Sequence, residues 1–289
     1  MISVHDNTLD HPINSPESMI AAIRHFGVLP FFRCGVLGWS VEDLTAPGCW
    51  FSDDEDTFLG PWDWKIDAVR EGDIAYGKFL GGKAAFATVP WYRELMNWRR
   101  SLPRYKMAEG GRFRATTAHD KLLKQLAPVA LAAIRKAGAL EARELRLICS
   151  ATFGAPVKKN VMDSILQYLQ MGTWTIIGDF ERFYRGPDLH YTGWQRASNT
   201  TPDELFAAPV PPFPGTPDEL YAAPVLPLPD NSSPAVNSFP TDKPVPVISF
   251  PVGEPRSTNL TPAASRKKLI AHLLELFPAA DPKVLERLI

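Results

Sequence analysis

The sequence is poor in cysteine and has no long apolar run. Its three cysteines, Cys34, Cys49 and Cys149, are far apart, odd in number and without a Cys-x-x-Cys pair, which argues against a disulfide framework and against a cysteine-built zinc site. Reduced thiols in a cytoplasmic setting are the expectation. No stretch approaches the ~20 apolar residues that span a bilayer. Residues 1–14 hold acids and histidine where a secretory leader carries a basic segment followed by an apolar one, so the chain reads as neither secreted nor membrane-spanning, with no membrane partner expected. Bulk charge is lacking too: 31 Lys and Arg against 32 Asp and Glu leave −1, and any affinity for a polyanion has to be local. There is no Gly-rich phosphate loop. His25, His119 and His190 show neither paired metal spacing nor a Ser or Cys arrangement suggesting a triad. No metal and no cofactor are expected. The run Asp53-Asp54-Glu55-Asp56 lacks the alternating spacing and turn glycine of a calcium loop and reads as an exposed acidic loop.

What is present is unevenly spread. Residues 1–90 carry 6 bases and 13 acids, residues 91–196 carry 18 and 9, and residues 197–289 carry 7 and 10. The middle third is therefore where a polyanion would bind. Of 28 prolines, 16 fall between Thr201 and Pro262, a density that opposes a packed fold and favours extended chain. Inside that stretch Thr201-Pro202-Asp203-Glu204-Leu205-Phe206-Ala207-Ala208-Pro209-Val210 recurs as Thr216 to Val225 with Tyr221 for Phe206. Two copies are too few for a solenoid. They read as a slipped duplication of linker or as a pair of short partner-binding peptides.

Periodicity predicts the elements. Ser15-Pro16-Glu17 opens a short helix through Ile20 and Ile23 that Gly27 ends. Two strand-like runs, 74–80 and 83–89, flank Gly81-Gly82 as a tight hairpin. Leu122, Leu126, Val129, Ala133 and Ala137 mark a helix with a kink or break at Pro128, Glu141 to Cys149 marks a second, and Ala155-Pro156 opens a third with Val157, Val161, Ile165 and Leu169 on its apolar side. Thr173–Ile177 and Leu189–Trp194 then pair across Gly186-Pro187. Three helices followed by a hairpin is the order of a winged helix. Near the end, Ile270, Leu273, Leu274 and Phe277 share a face, and Asp281-Pro282 restarts a helix with Leu285, Leu288 and Ile289. That stripe must be buried, either on the chain's own body or on a protein partner.

The expected fold class is α+β: an N-terminal α+β domain (1–115) packed with a winged-helix domain (116–198), then a Pro-rich linker (199–262) and a C-terminal helical segment (263–289). Lys158, Lys159 and Asn160 lie at the front of the third helix, where a recognition helix reaches phosphates or base edges. Arg182, Arg185 and Arg196 on the hairpin, with Arg112 and Arg114 before the first helix, extend the basic surface. Trp50, Trp62, Trp64, Trp91 and Trp98 concentrate aromatic area in the N-terminal half, as core packing or as stacking surface for a base.

The order Asp163-x-x-Leu166, Leu169-Gln170-Met171-Gly172-Thr173, Gly178-Asp179-Phe180, Gly193-Trp194 and Thr-Pro-Asp-Glu-Leu, with the earlier Trp62-Asp63-Trp64-Lys65 and Tyr76-Gly77-Lys78, resembles the AlkZ-related proteins, relatives of the AlkZ/YcaQ winged-helix DNA glycosylases. The resemblance covers roughly residues 15–205. It implies tandem winged-helix-like architecture, double-stranded DNA as partner and, in the true glycosylases, excision of bulky alkylated purines or unhooking of crosslinks. Their signature is Gln-Φ-Gln or Gln-Φ-Asp. Gln170 and Met171 match its first two positions, making Gln170 the catalytic candidate, with Asp179 and Glu181 the nearest carboxylates in sequence. The third position is Gly172, and a glycine can neither orient water nor stabilise a sugar cation. A DNA-binding protein of glycosylase lineage and a non-enzymatic regulator or adaptor are thus the two leading readings, with a protein-interaction module a third.

Overall fold

The structure, a computed structural model, describes residues 12–50, 60–187, 190–206 and 259–289. The acidic run at 53–56 and the proline-rich duplication beyond Phe206 lie outside the described residues. All described residues belong to one unit, Met1–Val210 with Ser257–Ile289.

Local chemistry sets the first elements. Ser15 caps Pro16–Phe26 (α1): its hydroxyl accepts from the Ser18 N–H at 3.2 Å, and Ser18 Oγ returns the favour to the Ser15 N–H at 2.9 Å. Val28–Pro30 (β1) follows, then the short Val41–Leu44 (α2) and Pro61–Arg70 (α3). Ile74–Leu80 (β2) and Lys83–Thr88 (β3) pair across Gly81 and Gly82, whose φ values of 55° and 79° are the left-handed pair a two-residue hairpin requires. Val89–Ser101 (α4) and a 3₁₀ turn at Tyr105–Glu109 lead to Ala118–Ala137 (α5), Ala139–Glu141 (β4), Ala142–Phe153 (α6), Lys159–Met171 (α7), Ile176–Arg185 (β5) and His190–Thr200 (β6). Pro202–Phe206 (α8), Pro262–Leu276 (α9) and Pro282–Leu288 (α10) complete the order.

The expected mixture of helix and antiparallel sheet is present. The strands form one six-stranded sheet in the order β1-β3-β2-β5-β6-β4, joined at its middle by the pairing of Tyr76 with Ile177. Two apolar cores flank that join. One gathers α1, α3, β1–β3 and the tail helices around Phe26, Phe31, Trp39, Phe79 and Phe86, and it takes Ile176, Ile177 and Phe180 from β5. The other gathers α5, α6 and α7 with Tyr105, Met107 and Trp174.

Four details differ from the periodicity. Helix α5 runs unbroken through Pro128. Its buried Leu123, Leu126, Leu131 and Ile134 are worth roughly 1.5–3 kcal/mol each, which outweighs the ~3 kcal/mol a proline costs inside a helix. Helix α6 continues to Phe153, four residues beyond Cys149. Helix α7 begins at Lys159, and its buried face is wider than the expected stripe: Val157, Ile165 and Leu169 are buried with Val161 packed beside them, and Met162 and Leu166 join them. The β5–β6 ribbon is about twice the expected length, and β4 adds a third strand through Ala139–Thr200, Leu140–Asn199 and Glu141–Ser198.

The C-terminal stripe is buried on the chain's own body. Glu94 of α4, itself buried, accepts from Ser265 Oγ and, at 2.8 Å, from Lys268 Nζ. His272 stacks on Trp91 with centroids 3.9 Å apart and bonds the Phe26 carbonyl through Nε2 at 2.9 Å. Phe277 stacks on Phe26 at 5.6 Å. Arg99 of α4 donates to the carbonyls of Phe79 and Leu288 and to the Tyr105 hydroxyl, so one buried guanidinium ties the hairpin, the tail and the 3₁₀ turn together. Leu273→Ala, at a fully buried position on α9, should cost ~2–5 kcal/mol in a denaturant titration. A loss below ~1 kcal/mol would be the signature of an exposed side chain and would contradict the docked tail.

Candidate functional site

Where the sheet changes hands between β2 and β5 the surface dips into a concavity of about 430 Å³, within the ~300–1,000 Å³ range of small-molecule sites. It is lined from α3 by Trp62 and Lys65, from β2 by Tyr76 to Lys78, from α7 by Asp163, Leu166, Gln167 and Gln170, and from the ribbon by Ile177, Phe180, Trp194 to Ala197 and Asn199. Glu141, Ala142 and Arg143 close the end near α6. Two of its indoles are open to solvent, Trp62 at 40% and Trp194 at 70%. Lys65 aside, its ionic lining is three cations, Lys78, Arg143 and Arg196, against two carboxylates, Glu141 and Asp163.

Its most unusual group is Lys65, on the inner side of α3 and 1% exposed. The ammonium nitrogen donates to the Trp62 carbonyl and to Gln195 Oε1, and it stands 3.5 Å from the centre of the Trp62 ring and 4.8 Å from that of Phe180. No carboxylate among the described residues lies within ion-pairing distance of it. Burial therefore pushes the amine down to about 7, against the opposing field of Asp63. Asp63 is committed elsewhere: it accepts from the Tyr191 hydroxyl at 2.7 Å and from Gln195 Nε2 at 2.8 Å, with Arg182 Nε at 3.7 Å. Burial and the Asp63 bond raise the Tyr191 phenol to about 12, so it remains a donor at neutral pH.

Gln170 closes the inner wall. It is 4% exposed, accepting from the Lys78 backbone N–H at 2.8 Å and donating to Asn199 Oδ1 at 3.1 Å. One amide thus links α7, β2 and β6. A profile of the AlkZ-related family, described as "AlkZ related", matches residues 13–219. The chain belongs to the AlkZ-related family. Neither the curated proteins nor the solved structures yield a match.

In this AlkZ-related chain the glycine after Gln170-Met171 has a packing cause. A Cβ on Gly172 would lie 2.8 Å from Trp174 Cδ1 and 3.0 Å from Tyr105 Cδ1. The following residue, Thr173, is held at φ 60°, a conformation β-branched residues avoid, and its carbonyl accepts from Arg100 at 2.7 Å. Met171 Sδ meanwhile lies 2.9 Å from the Gly82 nitrogen, so the hairpin turn is seated on the end of α7.

The other sequence-predicted positions divide. Lys158, Lys159 and Asn160 are exposed together at the start of α7. Arg185 and Arg196 converge on one ring, that of Phe183, at 5.1 and 4.5 Å, whereas Arg182 faces α3 and Asp63 and is not part of the same array. Arg112 and Arg114 are exposed on the loop before α5. Asp179 is ion-paired with Arg70 of α3 at 2.8 Å, and Glu181 is exposed on the ribbon. Of the tryptophans, Trp64 is core, Trp50, Trp91 and Trp98 pack against it, and Trp62 alone among the five lines the concavity. Among the described residues no group of three His, Cys, Asp or Glu side chains is arranged to hold a metal, and no helix is long and apolar enough to cross a membrane. Sequence reasoning passed over Lys65, although the spacing Trp62-x-x-Lys65 on a helix sets a cation one turn from an indole.

Two outcomes follow from this geometry. Completing the family signature with Gly172→Asp should lower stability by ~2 kcal/mol or more through overpacking against Trp174 and Tyr105, and an undiminished melting temperature would contradict the packing cause. For Lys65, whose ordinary value is 10.5, the folded amine sheds its proton at about 7. Between those values the unfolded chain binds the extra proton, so stability should rise with pH across that window, by as much as ~1.4 kcal/mol per unit, and level off below and above it. Urea titrations of the wild type and of Lys65→Met check this: their stability difference should change across the window, and a constant difference would show a lysine that stays protonated.

Proposed function

We propose that this AlkZ-related protein is a winged-helix DNA-binding protein that presents the concavity to an unstacked base. The order α5-β4-α6-α7-β5-β6, with β4 closing on β6, supports a winged-helix reading of residues 116–198. The three exposed residues Lys158, Lys159 and Asn160 then stand where a recognition helix meets the groove, and Arg185 and Arg196 lie on the wing as phosphate contacts. The observation that carries the reading is the concavity itself. Two open indoles, Trp62 and Trp194, provide stacking faces for such a base.

Glycosidic hydrolysis needs a group to hold water beside C1′. Gly172 supplies none, and Gln170 has its amide oxygen and nitrogen engaged by Lys78 and Asn199. In this reading Gln170 is a positioning residue for the wall, and recognition rather than base excision is the primary activity. That observation favours the regulator or adaptor reading over the glycosylase one.

The test is duplex binding across a salt series with the full chain. Affinity should fall log-linearly with salt, and Lys158→Ala with Lys159→Ala should reduce the slope by ~2. Absent or salt-insensitive binding removes the proposal. Incubation with alkylated duplex followed by a search for abasic sites separates recognition from excision.

A further inference from the structure

Lys65 has no role in holding phosphate, because its nitrogen is buried and points its hydrogens at neutral acceptors. Among the described residues it also makes no ion pair of the kind that normally compensates a buried ammonium. Its surroundings suit the neutral amine instead. An –NH2 group has two hydrogens and one lone pair, and the Trp62 carbonyl and Gln195 Oε1 take up the two hydrogens. Among the described residues no donor occupies the lone pair. Lys65 lines the concavity, and the indole over its nitrogen, Trp62, lines it too and is 40% exposed, so Trp62 is the side chain that would have to move aside for a carbonyl to reach Nζ. Gln195 is oriented in turn by Asp63 and Tyr191, a supporting network that fixes the acceptor rather than the amine. A desolvated, uncharged lysine beside a polar-rimmed cleft is the form in which lysine attacks carbonyl carbon.

We propose that Lys65 Nζ is a carbonyl-reactive amine that condenses with the ring-opened C1′ aldehyde of an abasic deoxyribose presented at the concavity. The proposal rests on the DNA-binding reading above and names the substrate class of the same site. The nitrogen lone pair forms a bond to C1′ as the carbon–oxygen π bond breaks, and one of the two amine protons passes to that oxygen. The resulting carbinolamine then loses that oxygen as water, with a proton from the nitrogen, leaving a carbon–nitrogen double bond. No oxidant or reductant is consumed. The missing base explains why the site needs no water-orienting group: there is no glycosidic bond left to hydrolyse, and the vacated base position leaves the sugar free to enter beside Trp62 and Trp194.

The experiment incubates the full chain with a duplex carrying one abasic site, in sodium cyanoborohydride, and in parallel with a duplex carrying a tetrahydrofuran analogue that has no aldehyde. A covalent protein–DNA adduct is expected with the first duplex only, with peptide mapping placing the reduced linkage on Lys65. Lys65→Arg and Lys65→Met should each lower adduct formation by about tenfold or more, while retaining cooperative thermal unfolding. A chain that binds the tetrahydrofuran duplex but forms no adduct, or forms it on another lysine, or forms it undiminished in Lys65→Met, overturns the proposal and leaves DNA binding intact. A chain that binds neither duplex overturns both. In that event glycolaldehyde with cyanoborohydride shows whether the amine or the DNA reading failed: labelling concentrated at Lys65 places the failure in the DNA reading, and its absence places it in the amine as well.

Discussion

A single buried amide sits at the point where the two halves of the sheet meet. The strands of the hairpin and of the ribbon touch through the pairing of Tyr76 with Ile177, too short a seam to fix an angle by ladder bonds alone. Gln170 supplies the missing constraint by spanning from the Lys78 backbone to Asn199. Each such bond is worth ~1 kcal/mol net, but leaving either buried partner unsatisfied costs ~1–3 kcal/mol, so alternative angles between hairpin and ribbon are penalised more than the native one is rewarded. Everything that gives the concavity its shape depends on this angle: the distance from Trp62 on α3 to Trp194 on the ribbon, and the reach of Gln195 to Lys65. The turn of the hairpin reinforces it, since Gln167 donates to the Gly82 carbonyl at 3.1 Å and Met171 packs on its nitrogen.

Burial of cations is the second organising feature, and it changes what regional charge means. The middle third carries an excess of bases, yet Arg99 is buried among carbonyls and a phenol, and Arg100 lies 4.3 Å over the Trp174 ring while holding the Thr173 carbonyl. Burial lowers both guanidinium groups from their ordinary value, yet both remain charged because that value is so high. They serve as multivalent donors that clamp backbone carbonyls where helices and strands end. Arg182 is drawn to Asp63. Exposed cations remain at the start of α7, on the loop before α5, along α5 and α6 and around Phe183, so burial trims the charge counted in the sequence without removing it.

Much of the architecture was legible because it follows local rules. The Ser15 cap with Pro16 and Gly27, the Gly81-Gly82 hairpin, the order of three helices before a ribbon, and the amphipathic tail each depend on residues close in sequence. What was not legible is long-range. Pro128 is accommodated because tertiary burial on both sides outweighs one lost hydrogen bond. Strand β4 has only three residues and no strand pattern of its own, and it exists because β6 offers an unpaired edge. The ribbon exceeds the two expected runs through 178–185 of β5 and 195–200 of β6, stretches that are mostly polar or charged and are held by cross-strand pairs. Gln170 was recognised by motif, but its engagement by Lys78 and Asn199 needed partners 92 and 29 residues away. Lys65 carried no signal beyond its place near Trp62, since the residues that desolvate it, Phe180 and Gln195, come from the other half of the chain.

The two departures from a hydrolytic site are physically connected. Hydrolysis of a glycosidic bond needs a wet pocket with a polar side chain aimed at the water, and at the third signature position the helix end is sealed by Trp174 and Tyr105 with no space for a side chain. Amine chemistry has the opposite requirement. Exclusion of water makes a lysine nucleophilic near neutral pH, and the indole of Trp62 and the ring of Phe180 lie over Nζ. Aromatic packing that closes the helix end against water thus recurs at the lysine, where it removes the solvent that would otherwise keep the amine protonated. The aromatic shell around Nζ favours an uncharged nitrogen, the form that the proposed carbonyl capture requires.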